Sequence, residues 1–559
     1  MFTMLPLLVL VPDTQRGLGY SNRPALSTPL RTAKIPHTRN EKVYFFPPKT
    51  KLIPLTTRRG TIMFFKKNEK SPGVEKLKSK ESDIQMAESS EEFTRAIKNR
   101  LNNSSDVVVI KVRPDLTIIY IEALIETSML NRDIIGQLNE ESVAPSTVES
   151  QMNSGDVQQI TSLKEAVFSL LGGAVLIHVE GFAPVVSVMI PTTDRRSLAK
   201  PENESIVIGP QLGFNESMAT NISLVRRYLV NPDLTTVSMT RGEQTRTAIS
   251  IMYINGIASD EMVETVKQRI SNISVDGIMD SSVLMQLIED NSMSIFPLMV
   301  LTERPDRACS WLLNGKIIII VDGSSLVIGC PQSFIEYFQS MEDQNVKWQV
   351  ASFFRLLRMI AMLLSVFFTA IYVASLTYHY EIIPQPLLIP LSESRSRVPF
   401  PPIIEALLLE FIIELLREAG ARLPTKVGQT MGIVGGIVIG TAAVEAGFTS
   451  NILIIIVALG ALASFTTPNF MMGNVIRILR FPIIILAGFW GFYGTMFAFC
   501  FLLIHLLRQS SLGSPFLAPF YPLRFRDWGN SVVRLPLNLT SKRPYQTRPL
   551  NSKKYDSKK

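Results

Sequence analysis

The chain has 559 residues, with 56 Lys/Arg against 48 Asp/Glu for a net charge of +8, and only 19% of it is charged, against about 25% in a typical soluble domain. Three cysteines without a C-x-x-C, and four histidines without an H-E-x-x-H, exclude a disulfide scaffold, a zinc ribbon and zincin chemistry. The positive charge sits at the two ends: residues 1–62 carry ten Lys/Arg and two acids, residues 537–559 seven and one, so the remainder is acidic overall. A nucleic-acid binder would carry its basic patch on the folded body, so no nucleic-acid partner is expected.

Residues 1–97 read as a disordered basic tail, with eight prolines in the first 62 positions and no hydrophobic period. Met1–Val11 is apolar but has no basic n-region and has Pro6 inside it. Asp13 follows without a small-residue cleavage site, so this is not a secretory signal. Met63, opening Met63-Phe64-Phe65-Lys66-Lys67, is a second candidate start, which would make residues 1–62 an over-extended start or a dispensable tail.

From about residue 98 to 345 strands and helices alternate, which predicts an α/β soluble domain. Subdomain 1 (98–200) has strands at Val107–Val112, Thr117–Ile121, Ala174–Val179 and Val185–Ile190, and helices at Thr127–Leu138 and Ser162–Leu171. A linker with a helix follows (201–233). Subdomain 2 (234–345) has strands at Thr236–Thr240, Ala248–Ile254, Lys316–Val321 and Ser325–Ile328, and helices at Asp260–Ile273, Ser281–Glu289 and Arg304–Leu313. The two rounds match in letters. Leu171-Gly172-Gly173-Ala174 through Glu180-Gly181 aligns with Leu313-Asn314-Gly315-Lys316 through Asp322-Gly323, and Ile119-Tyr120-Ile121 parallels Met252-Tyr253-Ile254. The expectation is a duplication, with Glu180-Gly181 and Asp322-Gly323 as hairpin turns and His178, opposite Ile320, as a core or edge residue rather than a ligand.

Residues 350–510 are the apolar part, predicted to be an all-α multi-span transmembrane domain. Met359–Leu376 and Phe481–Leu507 are each long enough to cross about 30 Å of hydrocarbon, and Gly428–Gly447 and Ile452–Phe465 read as two further spans. Residues 403–418 read instead as an amphipathic or re-entrant helix. It starts after Pro399, Pro401 and Pro402, ends before Gly420 and Pro424, and carries Glu405, Glu410, Glu414, Arg417 and Glu418. With Glu445, the residues Glu405, Glu410, Glu414 and Arg417 are the candidate pore or polar membrane face, because carboxylates at membrane depth face a cavity or a partner. Gly428, Gly432, Gly436 and Gly440 recur every fourth residue and form one ridge for close helix packing. Gly488, Gly491 and Gly494 form a smaller one.

Arg355 and Arg358 before the first span, and Arg508, Arg524, Arg526 and Arg534 after the last, place both termini in the cytoplasm by positive-inside bias. A cytosolic tail from 511 to 559 closes the chain, and its basic end, from Lys542 on, is solvated or touches anionic headgroups. There is no Walker A, no G-x-G-x-x-G after a strand and no G-x-S-x-G, so neither an enzyme nor a cofactor or metal site is expected.

Several motifs in one order then resemble the A subunit of GerA-type spore germination receptors. Val398-Pro399-Phe400-Pro401 precedes Leu416-Arg417-Glu418-Ala419-Gly420-Ala421-Arg422-Leu423-Pro424, and Arg477-x-Leu479-Arg480-Phe481-Pro482 opens the last span. Gly209-Pro210, Gly213-Phe214-x-Glu216, Asn221 and Arg226-Arg227 carry the resemblance in the linker, and Thr302-Glu303-Arg304-Pro305-Asp306-Arg307 beyond it. The sequence departs from the family pattern at Ile208, Gln211-Leu212 and Ser396-Arg397.

The resemblance implies a multi-pass subunit of a nutrient germinant receptor in the spore inner membrane. It further implies partnership with a transporter-like B subunit and a lipoprotein C subunit, and oligomerisation into a nutrient-gated cation channel. The alternative is a non-conducting membrane scaffold that relays the state of a nutrient-binding partner.

Overall fold

A computed structural model describes residues 86–138, 144–152, 156–192, 200–423, 436, 438 and 440–555. Met63 with the rest of the N-terminal segment up to residue 85, together with Gly428 and Gly432 of the glycine ridge, lies outside the described residues.

Two five-stranded sheets have the same strand order. In the first, β1 (Val107–Arg113), β2 (Leu116–Ile121), β3 (Val157–Ile160), β4 (Ala174–Val179) and β5 (Val185–Met189) lie as β1-β2-β4-β5-β3. In the second, β6 (Leu234–Arg241), β7 (Thr247–Ile254), β8 (Val300–Thr302), β9 (Ile317–Val321) and β10 (Val327–Cys330) lie as β6-β7-β9-β10-β8. The duplication read from the letters is thus a duplication of topology. All the strand pairings are antiparallel. The short third strand of each unit, β3 and β8, has no counterpart in the sequence reading, because three or four residues are too few to show a period.

Period two sorts each central strand between two layers. Ile119, Ile121, Leu176 and Val185 meet Phe93, Ile97, Val167 and Leu170 of α1 (Ser90–Arg100) and α2 (Leu163–Leu171). Ile118, Tyr120, Val175 and Ile177 meet Leu130, Ile134 and Val148 on the other face. Burial on both faces is why these strands read as unbroken apolar runs. The helix expected at 127–138 is one turn of α-helix, then a wide π-turn, then a 3-10 turn.

Each acidic-glycine turn caps the first helix of its own unit. The Glu180 carboxylate accepts from Ser90 N at 2.8 Å, and Gly181 N donates to Glu88 O at 3.0 Å. In the second unit the Asp322 carboxylate accepts from Met218 N at 3.1 Å, and Gly323 N donates to Glu216 O at 2.8 Å. Carboxylates at helix N-termini satisfy orphan N–H groups and oppose the positive end of the dipole. Two boundaries move as a result. The stretch 90–97, read as part of a disordered tail, is helical. Helix α3 (Met218–Tyr228), assigned to a linker, occupies in the second unit the place of α1.

His178 is a core residue. It is fully buried, stacked on Phe93 with ring centroids 4.8 Å apart, and bonded to Ser90 Oγ at 2.8 Å and Ala87 O at 3.1 Å. Burial holds its pKa below the ordinary value. The thiols of Cys309 and Cys330 are buried as well, which pushes both up to about 12.

The second unit carries two further helices over one face, α4 (Asp260–Ser271) and α5 (Ser281–Ile288), which pack on Ile249, Ile251 and Ile319. Its other face, under α3 and α6 (Pro305–Leu313), is continuous with the helical half. One cluster runs from Ile318, Ile320 and Val225 through Phe338 and Phe516 to Val366 and Ala370. The second unit is therefore welded to the helices. The first touches that cluster only at its margin, through Ala123, and is tied to the second unit by polar contacts from Ser104, Ser105 and Asp106.

The C-terminal segment folds back rather than trailing into solvent, contrary to the expectation for residues 511–559. Ser510–Ser511 pairs with Ser514–Pro515, and Leu512 and Phe516 are buried. Asp290 accepts from Ser510 Oγ (2.6 Å), Leu512 N (3.0 Å) and Gly513 N (3.1 Å). Further on, Arg543 Nε donates to Leu313 O at 2.7 Å and Leu550 N to Ile257 O at 3.0 Å. Burial raises the Asp290 pKa, but these donors and Arg269 outweigh it and hold the group below the ordinary carboxylate value.

Candidate functional site

Two helices among the described residues are long and apolar enough to cross a membrane: α7 (Trp348–Thr377) and α10 (Phe470–Arg508). Between them lie α8 (Pro402–Arg422) and the 15-residue α9 (Asn451–Phe465), with a short helix at Gly440–Glu445.

The apolar run predicted as one last span is not straight. At Gly491, φ is 61° and ψ is −138°, a conformation that favours glycine. A Cβ on Gly494 would strike the carbonyl of Leu486, and Phe499, Leu502 and Leu506 line the same apolar wall of α7 as Ile476 and Leu479. The chain therefore reverses there, giving two limbs, 470–490 and 492–508. Gly488 leaves room for Ile403 of α8. The three glycines read as one packing face have three separate roles.

Helix α8 does not lie apart as a lone amphipathic helix. Glu405, Glu410, Glu414 and Arg417 face the bundle, and the three carboxylates are matched with arginines as α8 runs antiparallel to the first limb of α10, while Glu418 and Arg422 pair with each other in the open. At the centre, Arg480 Nη1 donates to Glu410 Oε2 at 2.6 Å, and its Nη2 donates to Ser365 Oγ at 2.7 Å and Gly460 O at 3.2 Å. Thr369 Oγ1 donates to the second Glu410 oxygen at 2.9 Å. One residue or more from each of α7, α8, α9 and α10 meets in this knot. Glu410 and Arg480 are both buried, at 3% exposure each. A buried charge persists only when paired and hydrogen-bonded, and here both are.

One turn along, Glu414 lies 3.4 Å from both Arg417 and Arg477, and its side chain is 40% exposed. Arg417 also stacks over Phe465 at 4.5 Å. Toward the other end, buried Glu405 accepts from Ser450 N at 2.6 Å and Thr449 Oγ1 at 3.1 Å, with Arg395 at 3.5 Å. Ser450 caps α9, so Glu405 sits at that helix's positive end.

Of the residues expected on one polar face, Glu410, Glu414 and Arg417 are therefore neighbours. Glu405 is in a separate pocket of donors, and Glu445, at the end of the short helix Gly440–Glu445, is exposed. A 100° wheel shows which side of α8 is charged. It cannot show that Arg480, 70 positions on, answers it. The visible signal was two arginines, Arg477 and Arg480, at the head of an apolar run. Ser365 and Thr369 gave none. Among the described glycines of the ridge, Gly436 and Gly440 have no atom within 4 Å of the point where a Cβ would stand, so those two make no close contact with the described residues.

The other signature residues are structural. Pro399, Phe400 and Pro401 form the turn into α8, where Phe400 packs on Phe448 at 6.0 Å. Gly209 has φ 139°, with Asn345 and Ile206 where a side chain would be. Pro210 O accepts from Arg304 at 2.8 Å, Gly213 is buried, and Phe214 is in the core with its N donating to Glu303 O at 2.7 Å. Glu216 supplies the carbonyl that receives Gly323 N, and buried Asn221 clamps the Asn215 backbone at 2.9 and 2.6 Å.

Arg226 joins the two units: its Nε and Nη2 donate to Asp106 at 2.5 and 2.8 Å, and Nη2 also reaches Ser104 Oγ and Thr236 Oγ1. At the foot of α7, buried Asp343 binds Arg355 at 3.0 Å and Arg358 at 2.9 Å.

The family described as Bacillus/Clostridium GerA spore germination protein matches residues 95–546. Spore germination protein GerQA of Bacillus cereus is 44% identical over 456 residues, covering 80% of this chain and 91% of that protein. Spore germination protein GerIA of Bacillus cereus is 51% identical over 359 residues, covering 64% of this chain and 54% of that protein. Among solved structures, the N-terminal domain of the A subunit of the Bacillus megaterium spore germinant receptor GerK3 is 28% identical, covers 45% of this chain and 98% of that one, and superposes with a TM-score of 0.35.

Proposed function

The chain belongs to the GerA spore germination family, and from that premise we propose that it is a membrane subunit of a nutrient germinant receptor whose helical half oligomerises into a nutrient-gated cation channel. Its partners are a transporter-like B subunit and a lipoprotein C subunit. It lies in the inner membrane of the spore as a multi-pass protein with both termini in the cytoplasm, and it acts in signal transduction rather than catalysis.

The observation that carries the reading is the charge set on α8. A membrane helix with few spans around it cannot enclose a pore alone, so a conducting path would run between protomers. Of the carboxylates facing the bundle, Glu414, half-exposed beside Arg417 and Arg477, is the one available to such a path, where an acidic ring attracts cations. Glu410 lies behind it, locked by Arg480. Opening is a shift in population between two arrangements of these helices.

A second reading, the non-conducting scaffold, draws on the same knot: Glu410 and Glu405 are held inside one chain and line no free surface. Cation release from spores carrying Glu414→Gln separates the two. Altered nutrient-triggered release with normal protein level and assembly supports the channel. Unchanged release moves the role to the scaffold. Glu410→Gln is followed in parallel for protein level, because it breaks a packing contact.

A further inference from the structure

Around the neck between the second soluble unit and the helices, large apolar side chains stand in the open. Met293 is 86% exposed, Phe525 70% and Phe353 62%, and Ile295, Tyr521 and Leu523 are exposed as well. Isolated exposed apolar residues are ordinary, but a contiguous set marks a contact surface. These come from three separate stretches of chain that converge at one level. Phe296, next to Ile295, lies 5.8 Å from the ring of His505 near the end of the second α10 limb. Phe520, next to Tyr521, shares an apolar wall with Leu503 and Met362. Phe353 precedes Arg355, which binds Asn530 O at 2.7 Å, in the same C-terminal segment as Phe525. The belt is thus continuous with the apolar surface of the helices. Arg508 and Arg526 stand exposed within it.

We propose that this belt is a phospholipid-contacting surface that seats the second soluble unit on the bilayer. Phe353, Tyr521, Leu523, Phe525, Met293 and Ile295 enter the interfacial layer, and Arg508 and Arg526 reach lipid phosphates. Aromatic rings are favoured at this depth, and arginines extend an apolar stem while keeping the head among the phosphates. The assignment also accounts for the folded-back C-terminal segment, which carries half of the anchor. The proposal rests on the membrane reading of the helices.

The test uses the full chain in phosphatidylcholine–phosphatidylglycerol vesicles, with Cys500→Ala and one nitroxide label at a time. Labels go on Phe525→Cys, on Leu364→Cys as the lipid reference, and on Phe168→Cys in the first unit as the water reference. The expected result is that the ratio of oxygen to nickel-chelate accessibility at 525 is severalfold above that at 168 and close to that at 364. Nickel access at 525 equal to 168, with 364 lipid-exposed, overturns the belt and leaves the membrane reading intact. Shielding of 525 from both reagents also overturns it, because it means that protein, such as a second copy of the chain, covers the site. Water access at 364 defeats the membrane reading itself.

Discussion

The soluble and helical halves each bury an arginine, and they support it differently. Arg226 has both Asp106 oxygens and two hydroxyls, and lies at the junction of two units that water can reach if the junction opens. Arg480 has one Glu410 oxygen, one hydroxyl and one helix carbonyl, at the crossing of four helices. When the first pair is broken, solvent can take over the orphaned charge. When the second is broken, the only replacements are groups on helices whose packing depends on it. The same chemistry is therefore a hinge pin in one half and a keystone in the other.

The sharpest way to break this comparison is Arg480→Ala, which leaves Glu410 buried without its cation. The expected loss is about 3–5 kcal/mol, read as a lowered unfolding midpoint in detergent and a reduced level of protein in spores. Replacing both partners, Arg480→Met with Glu410→Leu, is expected to restore most of that stability, because a well-packed apolar pair often equals a buried ion pair. If nutrient response stays lost in the double variant with stability restored, the pair does more than hold helices together.

Asp106→Ala is expected to cost less, about 2–3 kcal/mol, and to loosen the first unit against the second while the bundle stays intact. Limited proteolysis between residues 193 and 217 reads this directly. Equal losses for Asp106→Ala and Arg480→Ala would erase the distinction between pin and keystone.

A pH series separates the two soluble units. The folded His178 has its pKa below the ordinary 6.5 because of burial, so below that value the unfolded chain binds the extra proton and the folded one resists it. Stability of the first unit is therefore fully present above 6.5 and falls as pH drops below it. The equivalent position in the second unit is Ile320, which has no such dependence. Hydrogen exchange of β4 and β9 at falling pH is expected to show opening of the first unit before the second, and His178→Phe to remove the difference.

The smallest effect is expected at Arg548→Ala. Its pair with Glu261 spans 3.2 Å with both side chains exposed, so about 0–1 kcal/mol is at stake. The C-terminal segment should remain docked through Phe516 and the Asp290 contacts, which limited proteolysis of the variant would check.

Much of this was legible in the letters, because it is local. Period two marked the central strands, the recurrence of Gly173-Ala174 through Glu180-Gly181 at Gly315-Lys316 through Asp322-Gly323 marked the duplication, and long uncharged runs marked α7 and α10. The short β3 and β8 were not legible, nor was the irregular turn at 127–137, since neither carries a full period. The two halves also differ here. In the soluble half nearly every strand announced itself. In the helical half, elements were visible but their pairing was not.

The sequence by itself determined which segments are apolar, where most of the longer strands and helices fall, and the family's motifs, because these depend on near neighbours along the chain. Only the tertiary structure decided that Arg480 answers Glu410, that the last apolar run turns back at Gly491, and that residues 510–555 fold onto the second unit. Each joins positions tens to hundreds of residues apart or turns on one residue's backbone angle. Hydrophobic pattern carries no record of partner choice. The choice is made by which buried charge or orphan carbonyl must be satisfied once the helices pack.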